Sequence, residues 1–257
     1  MKSIRFGFIG FGNMAKAMFC GFSCNKNIKF SYYSKTNRHK EIEAKASPEE
    51  VVNWADVVVL CVKPQELSGV LTQIKNCCFH NKIILSPVLG KSIAFIEGYL
   101  GKNVGIIRIM PNLAAAYKMS VTAYAASSNN ELISRIKINL ELLGKVVEIK
   151  ETDFSLFTAV FGSGPAFILK MLEAMKTKIA DIKNIDTDNL LTELISGTAM
   201  YAAQNQAKNI NELINNIASK GGSTEAGLQC MSENNFDEII SKVINASKQK
   251  SDKLNEF

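Results

Sequence analysis

The sequence predicts an α/β protein, with an N-terminal doubly wound, mainly parallel sheet followed by an all-α C-terminal domain. Three observations carry this. Short apolar strands alternate with helical spacing through about residue 150, and the strands stop at glycine or proline breaks. After Glu151 no convincing period-2 segment appears, and apolar residues recur at helical spacing instead. The first strand also runs straight into glycines at positions 10 and 12, the kind of turn by which a strand feeds a helix in a parallel sheet.

The elements follow in order. Ile4–Ile9 is the first strand, and Met14, Ala17, Met18 and Gly21 give the spacing of a helix that starts at Asn13. Ile28–Tyr33 is a second strand. Val57–Val62 ends at Lys63-Pro64-Gln65, a helix covers Leu67–Ile74, Ile83–Leu85 ends at Ser86-Pro87, and Val104–Ile109 ends at Met110-Pro111-Asn112. Val121–Ala126 and Lys145–Ile149 bracket an amphipathic helix, Glu131–Leu143, and complete the sheet. Beyond Glu151, Phe154, Phe157, Val160 and Phe161 form one stripe. Phe167, Ile168, Met171, Leu172 and Met175 form another, and Leu190, Leu191, Leu194 and Ile195 begin a third. These stripes read as core faces. The middle helix is announced by Gly162-Ser163-Gly164-Pro165, where Ser163 or Gly164 caps and proline takes the first helical position. About a hundred residues of such apolar helices have little internal core to hide in, so subunit pairing is expected.

Ile9-Gly10-Phe11-Gly12-Asn13-Met14-Ala15 is the Gly-x-Gly-x-x-Ala form of a dinucleotide fingerprint, which makes the first half Rossmann-like. Gly10 makes the tight turn, Gly12 leaves room for a pyrophosphate, and the helix from Asn13 points free N–H groups at the anion. Phe11, Asn13 and Met14 complete the expected cofactor turn. The second strand ends in Ser34-Lys35-Thr36-Asn37-Arg38, where an NAD-selective chain carries an acid for the ribose hydroxyls. Hydroxyl and cationic groups there suit a 2′-phosphate instead, so NADP(H) is favoured; the other reading is an exposed basic turn without a ligand. Ligands of such sheets lie beyond the carboxyl ends of the strands. Val62-Lys63-Pro64, Val88-Leu89 and Pro111-Asn112 therefore converge on the site, the first two on the cofactor and the last on the substrate. The division expected is a cofactor domain at 1–151 and a helical substrate-binding and dimerisation domain at 152–257.

At 257 residues the chain is long enough to bury a real core. Its apolar runs, such as Val57–Val62, fall far short of the ~20 residues that cross a bilayer, and no signal-peptide pattern precedes the first strand. A cytoplasmic location without a membrane partner is expected. The formal charge of +6 is scattered along the chain, which argues against nucleic acid and suits small anions. Cys20, Cys24, Cys61, Cys77, Cys78 and Cys230 show no Cys-x-x-Cys pair and read as reduced, mostly buried thiols. His39 and His80 have no metal-ligand neighbours, so no metal is expected.

Chemistry in the second half centres on Ser219-Lys220-Gly221-Gly222-Ser223-Thr224-Glu225-Ala226-Gly227, a glycine turn leading into a helix. Its amides form a nest for an anion, in which Ser219 and Ser223 hold a carboxylate and Thr224 offers a hydroxyl to a neighbouring atom. The alternative is that Ser223 or Thr224 simply caps the helix.

Ile9–Met14, Val62-Lys63-Pro64-Gln65, Arg108–Asn112, Phe161-Gly162-Ser163-Gly164-Pro165-Ala166 and Ser219–Thr224, in this order, resemble pyrroline-5-carboxylate reductase over nearly the whole chain. The resemblance implies NADPH-dependent reduction of 1-pyrroline-5-carboxylate to L-proline, and helical domains interlocked as a dimer, often within a larger ring. It implies that Thr224 hydrogen-bonds the ring nitrogen while Ser219 and the Gly221, Gly222 and Ser223 amides hold the carboxylate. No His–Asp pair is needed, because orientation alone is worth ~7–11 kcal/mol and an imine accepts hydride once its nitrogen is protonated or hydrogen-bonded. The chain departs from the family pattern at Leu113-Ala114-Ala115, Lys118-Met119-Ser120, Lys220, Val88-Leu89-Gly90 and Pro48. A reductase of another cyclic imine, a 3-hydroxyacid dehydrogenase and a non-catalytic NADP sensor are the other readings. The dehydrogenase would carry an asparagine one turn after its catalytic lysine, where Lys170 is followed by Ala174.

Overall fold

The computed structural model describes residues 3–36, 39–128 and 131–255. Asn37 and Arg38, the far end of the expected basic turn, lie outside the described residues. The chain forms two compact units, Met1–Ser163 together with Asn245–Phe257, and Gly164–Ile244. The first unit thus extends past the change of pattern at Glu151 and takes back the end of the chain.

The first unit is built on strands β1 (Ile4–Ile9), β2 (Ile28–Tyr33), β3 (Glu43–Ala44), β4 (Val57–Leu60), β5 (Ile83–Ser86), β6 (Gly105–Met110), β7 (Ser120–Ala126) and β8 (Gly144–Glu148). They form an eight-stranded sheet in the order β3-β2-β1-β4-β5-β6-β7-β8. β1 pairs in parallel with both β2 and β4, so the strand order reverses on either side of β1. β4, β5 and β6 continue in parallel. β7 runs antiparallel to β6, because only the short turn Leu113–Tyr117 joins them and a parallel return needs a longer crossover. The helix between β7 and β8 supplies that length, and those two strands are parallel.

Helices α1 (Asn13–Phe22), α2 (Pro48–Trp54), α3 (Leu67–Ile74), α4 (Ile93–Leu100) and α5 (Glu131–Leu140) cover the two faces. The period of two sends Phe6 and Phe8 into a core with Phe11, Met18, Phe22 and Leu140, and sends Ile9 to the opposite core with Val51, Leu67 and Leu71. Val57, Val58, Val59 and Leu60 are all fully buried, as expected of a strand covered on both faces. Gly7 has no room for a side chain, since a Cβ there would lie 2.5 Å from Val51 Cγ1 on α2.

Strand β4 stops two residues before the expected end at Val62, and the expected helix to Leu143 tightens after Leu140 into a 3₁₀ turn, Glu141–Leu143. Helices α2 and α4 are announced in the sequence by their caps rather than by a long apolar period. Ser47 caps α2 by accepting from the Glu50 amide, and Ser92 caps α4 by accepting from the Phe95 amide. The thiols are less buried than expected. Cys20, Cys24, Cys78 and Cys230 are exposed in the single chain, whereas burial pushes the Cys61 thiol pKa up and keeps it protonated.

From β8 the chain enters α6 (Phe154–Phe157), a wide π turn at Thr158–Gly162, and then α7 (Gly164–Lys178), α8 (Thr187–Gln204), α9 (Ile210–Ile217), α10 (Ser223–Glu233) and α11 (Phe236–Asn255). The stripes on α7 and α8 are not core within one chain. Ile168, Met171, Met175, Leu190 and Leu194 are 38–49% exposed. In the second unit only Leu191 and Leu213 appear among the buried apolar residues. Glu151–Lys178 is long and apolar enough by length and composition to cross a membrane, but the π turn and Gly162-Ser163-Gly164-Pro165 interrupt it, and an apolar face lacking its own core is what a subunit interface requires.

Candidate active site

The turn after β1 has the geometry that a pyrophosphate needs. Gly10 sits at φ +86°, and a Cβ on it would come within 2.5 Å of the Cys61 carbonyl oxygen, so both conformation and space demand glycine. Its amide donates to the Tyr33 carbonyl oxygen at 2.8 Å, which ties the tip of β1 to the end of β2. A Cβ on Gly12 would meet nothing within 4 Å. The turn is therefore open on that side, and Gly12, the N-cap of α1, places no side-chain cap on the helix. A phosphate fits there, since the head of a helix presents unpaired N–H donors and positive dipole.

Asn13 is exposed and Met14 half-buried at this head, while Phe11 is 1% exposed. The Phe11 ring packs 4.8 Å from that of Tyr32, so Phe11 can meet a cofactor only through its backbone. Ser34 is half-buried and Lys35 exposed immediately after β2. Val62, Lys63 and Pro64 follow the end of β4, where the Lys63 amide donates to Glu66 Oε2 at 3.3 Å and Pro64 opens a 3₁₀ turn. Buried Val88 and half-buried Leu89 follow β5 and lead to Gly90 at φ +70°. The fold therefore brings all of the sequence-predicted cofactor residues to the carboxyl ends of β1, β2, β4 and β5, around the reversal of strand order.

Pro111 and Asn112 are buried beyond the end of β6. Both ends of the Asn112 side chain are bonded: Nδ2 donates to the Phe161 carbonyl oxygen at 2.9 Å and Oδ1 accepts from the Ala114 amide at 3.0 Å. Its own amide donates to Ser120 Oγ at 3.0 Å. Phe161 lies in the π turn, where the Ser163 amide reaches the Thr158 carbonyl oxygen at 2.9 Å. π turns of this kind recur at functional sites, and Asn112 holds this one to the end of β6.

In the second unit Gly221 has φ +74° and Gly222 is the N-cap of α10. Neither Ser223 nor Thr224 caps the helix; they are its first two residues. The Gly222 amide donates to the Ser219 carbonyl oxygen at 3.0 Å, and a Cβ on Gly222 would lie 2.7 Å from Ser219 Oγ, so the second glycine lets the serine hydroxyl fold over the turn. Glu225, to which the motif assigns no role, takes the Gly221 amide at 2.7 Å, so the Gly221 and Gly222 amides expected to hold a carboxylate are instead engaged within the turn. A glutamate three residues beyond a cap is the available sequence signal for that bond. The amides of Ser223 and Thr224 head the helix, where an α-helix offers no internal acceptor. Both residues are exposed, so the Thr224 hydroxyl is accessible.

A pyrroline-5-carboxylate reductase of Aquifex aeolicus is 32% identical to the chain over 98% of its length and 98% of the relative's. The chain belongs to the pyrroline-5-carboxylate reductase family. A Bacillus subtilis pyrroline-5-carboxylate reductase is 30% identical, over 100% of the chain and 96% of the relative. The family model for pyrroline-5-carboxylate reductase dimerisation matches residues 151–254, and the one for NADP oxidoreductase, coenzyme F420-dependent, matches residues 5–90. The crystal structure of Plasmodium falciparum pyrroline carboxylate reductase with NADP bound superposes with a TM-score of 0.91 at 26% identity, covering 99% of both chains. The Streptococcus pyogenes enzyme superposes at 0.86 with 27% identity, covering 98% of this chain and 100% of that one. Within this family the match over 5–90 takes in the whole fingerprint, Ser34 and Lys35, Val62–Pro64 and Val88-Leu89, and the dimerisation region takes in the Ser219–Thr224 corner. The match over 5–90 supports NADP as the cofactor, and the dimerisation match supports a homo-oligomer.

Proposed function

We propose that the protein reduces 1-pyrroline-5-carboxylate to L-proline with NADPH. The observation that carries this reading is the corner at the head of α10, where a glycine pair, two serine hydroxyls and an accessible threonine hydroxyl stand within the family's dimerisation region. Such a corner suits a small cyclic acid, since its amides and hydroxyls complement a carboxylate and leave Thr224 for the ring nitrogen.

Bound along the glycine turn, NADPH supplies the hydride that the imine carbon accepts. The chain's own residues do the rest. Gly10, Gly12 and the backbone of Phe11, Asn13 and Met14 hold the pyrophosphate; Ser34 and Lys35 hold the 2′-phosphate; Val62, Lys63, Pro64, Val88 and Leu89 flank the cofactor. Ser219 with the Ser223 and Thr224 amides holds the substrate carboxylate, with Gly221 and Gly222 shaping the turn. Thr224 hydrogen-bonds the ring nitrogen, which carries one proton into the reaction and keeps it as the C=N bond becomes C–N. Pro111 and Asn112 border the substrate from the end of β6. This division of labour places the cofactor part at 1–151 and the substrate and dimer part at 152–257, in a cytoplasmic homodimer or larger ring.

The test mixes purified protein with NADPH and racemic pyrroline-5-carboxylate. Falling nicotinamide absorbance together with appearance of L-proline supports the assignment. A flat trace from protein that still binds NADPH would replace it with a nucleotide sensor, and turnover only with six-membered or sulfur-containing cyclic imines would replace the substrate.

A further inference from the structure

Helix α11 begins in the second unit and ends in the first. From Asn245 onward it belongs to the first compact unit. It is anchored there at two levels. Ser247 Oγ lies 3.2 Å from Ser163 Oγ at the end of the π turn. One turn further, the Asp252 carboxylate accepts from Lys248 Nζ at 2.8 Å and from the Ser155 side chain on α6, and these hydrogen bonds hold its pKa below the usual carboxylate range. Between them Ser251 is buried.

The end of this helix reaches Gly90. A Cβ built on Gly90 would lie 2.6 Å from Leu254 Cβ and 2.7 Å from the Leu254 carbonyl carbon and oxygen. Two of those three atoms are backbone, which has no rotamer to yield. Gly90 is also in the left-handed region at φ +70°. The loop Pro87-Val88-Leu89-Gly90 is therefore closed from outside by a helix end, and its conformation is set by a contact as well as by its own chain. A loop wedged in this way has fewer alternative arrangements for Val88 and Leu89.

We propose that the last turns of α11, seated on Gly90 through Leu254, position the Val88-Leu89 loop against bound NADPH, so that the C-terminal segment tunes cofactor affinity. Leu254 is a positioning residue and touches neither reactant. The inference rests on the reading that NADPH runs past Val88 and Leu89. What it adds is a part of the cofactor pocket's support that lies more than 150 residues away in sequence.

The experiment compares the full chain with a form ending at Asp252 and with Asp252→Ala, which releases the helix end without shortening it. NADPH binding is followed by nucleotide fluorescence, and amide hydrogen exchange at Leu89 and Gly90 is followed in the NADPH-free protein. Expected are faster exchange at both amides, a rise of roughly three- to tenfold in Kd and KM for NADPH, within the coupling range of residues in contact, and an unchanged KM for the imine. Gly90→Ala should weaken NADPH binding in the full chain and do less harm in the form ending at Asp252, where the clash is gone. Equal NADPH affinity and equal exchange in all three proteins would overturn the proposal. If NADPH binds the full chain without slowing exchange at Leu89, the cofactor path itself is wrong and the proposal falls with it.

Discussion

Arg108 on β6 donates from Nη1 to Glu151 Oε1 at 2.9 Å, in a salt bridge whose arginine side chain is 4% exposed and whose carboxylate is 31% exposed. The same oxygen accepts from the Ile93 amide at 3.0 Å, and the guanidinium lies 4.3 Å over the Phe154 ring. One carboxylate thus joins β6, the head of α4 and the approach to α6. The bridge is mainly a fastening: it holds the strand that delivers Pro111 and Asn112 against the segment that becomes the π turn.

Removing that carboxylate should be expensive, because Arg108 Nε has no hydrogen-bond partner among the described residues and the buried charge would lose its counter-ion. Glu151→Ala is expected to destabilise the chain by about 3–5 kcal/mol, read as a fall in the urea midpoint. A change of less than half a unit of kcal/mol, on the order of a surface substitution, would show that the bridge is ornamental.

At the other end of the sheet Asp56 accepts from the Arg5 guanidinium at 2.7 Å and from the Arg5 amide at 2.9 Å. Burial on its own raises the carboxyl pKa, but the hydrogen bonds and charge of Arg5 outweigh it and the net shift is downward. A depressed folded-state pKa contributes stability above the unfolded value of about 3.9 and loses it as pH falls through the folded value. Asp56→Asn should therefore be less stable than the parent at neutral pH, by under ~1 kcal/mol given solvent screening, and equal to it in strong acid. A gap that persists in acid would locate the effect in packing.

Thr224→Ala removes the hydroxyl proposed for the ring nitrogen while leaving the helix and its Gly222 cap in place. Loss of one hydrogen bond made in the transition state is expected to lower kcat on the order of 10²-fold with NADPH affinity held. Steady-state kinetics beside nucleotide titration separates the two, and unaltered turnover would remove Thr224 from the reaction.

Lys35→Glu places a carboxylate where a 2′-phosphate is proposed to rest. The NADPH over NADH preference should fall by about 1.5–3 kcal/mol, the range of a hydrogen bond to a charged group, as measured by the ratio of kcat/KM for the two nucleotides. An unmoved ratio would assign cofactor choice to other residues.

Leu169 on α7 is 64% exposed in the single chain. Sedimentation of the parent protein at micromolar concentration should show a dimer or larger, and Leu169→Asp should shift it toward monomer, since symmetry repeats the unpaired carboxylate at the interface. A parent that runs as a monomer would contradict the packing argument.

The sequence alone determined the alternating α/β character of the first half, the glycine turn and the helical character of the remainder, because each is written locally. Val57–Leu60 is legible as a strand from its unbroken apolar run, and Gly10 and Gly12 announce the turn, of which Gly10 is the position whose conformation and space demand glycine. Ser34 and Lys35 stand out as residues replacing an acid, and Ser219–Thr224 by its glycines. Only the tertiary structure decided what long-range contact controls. It shows that Asn112 is bound to the Phe161 carbonyl oxygen, that the Gly221 amide is taken by Glu225, that the stripe on α7 faces outward in the single chain, and that the end of α11 closes on Gly90. Periodicity marks which face of an element is apolar but not what covers it, and a polar side chain's partner depends on where distant backbone arrives, which is a property of the packed chain.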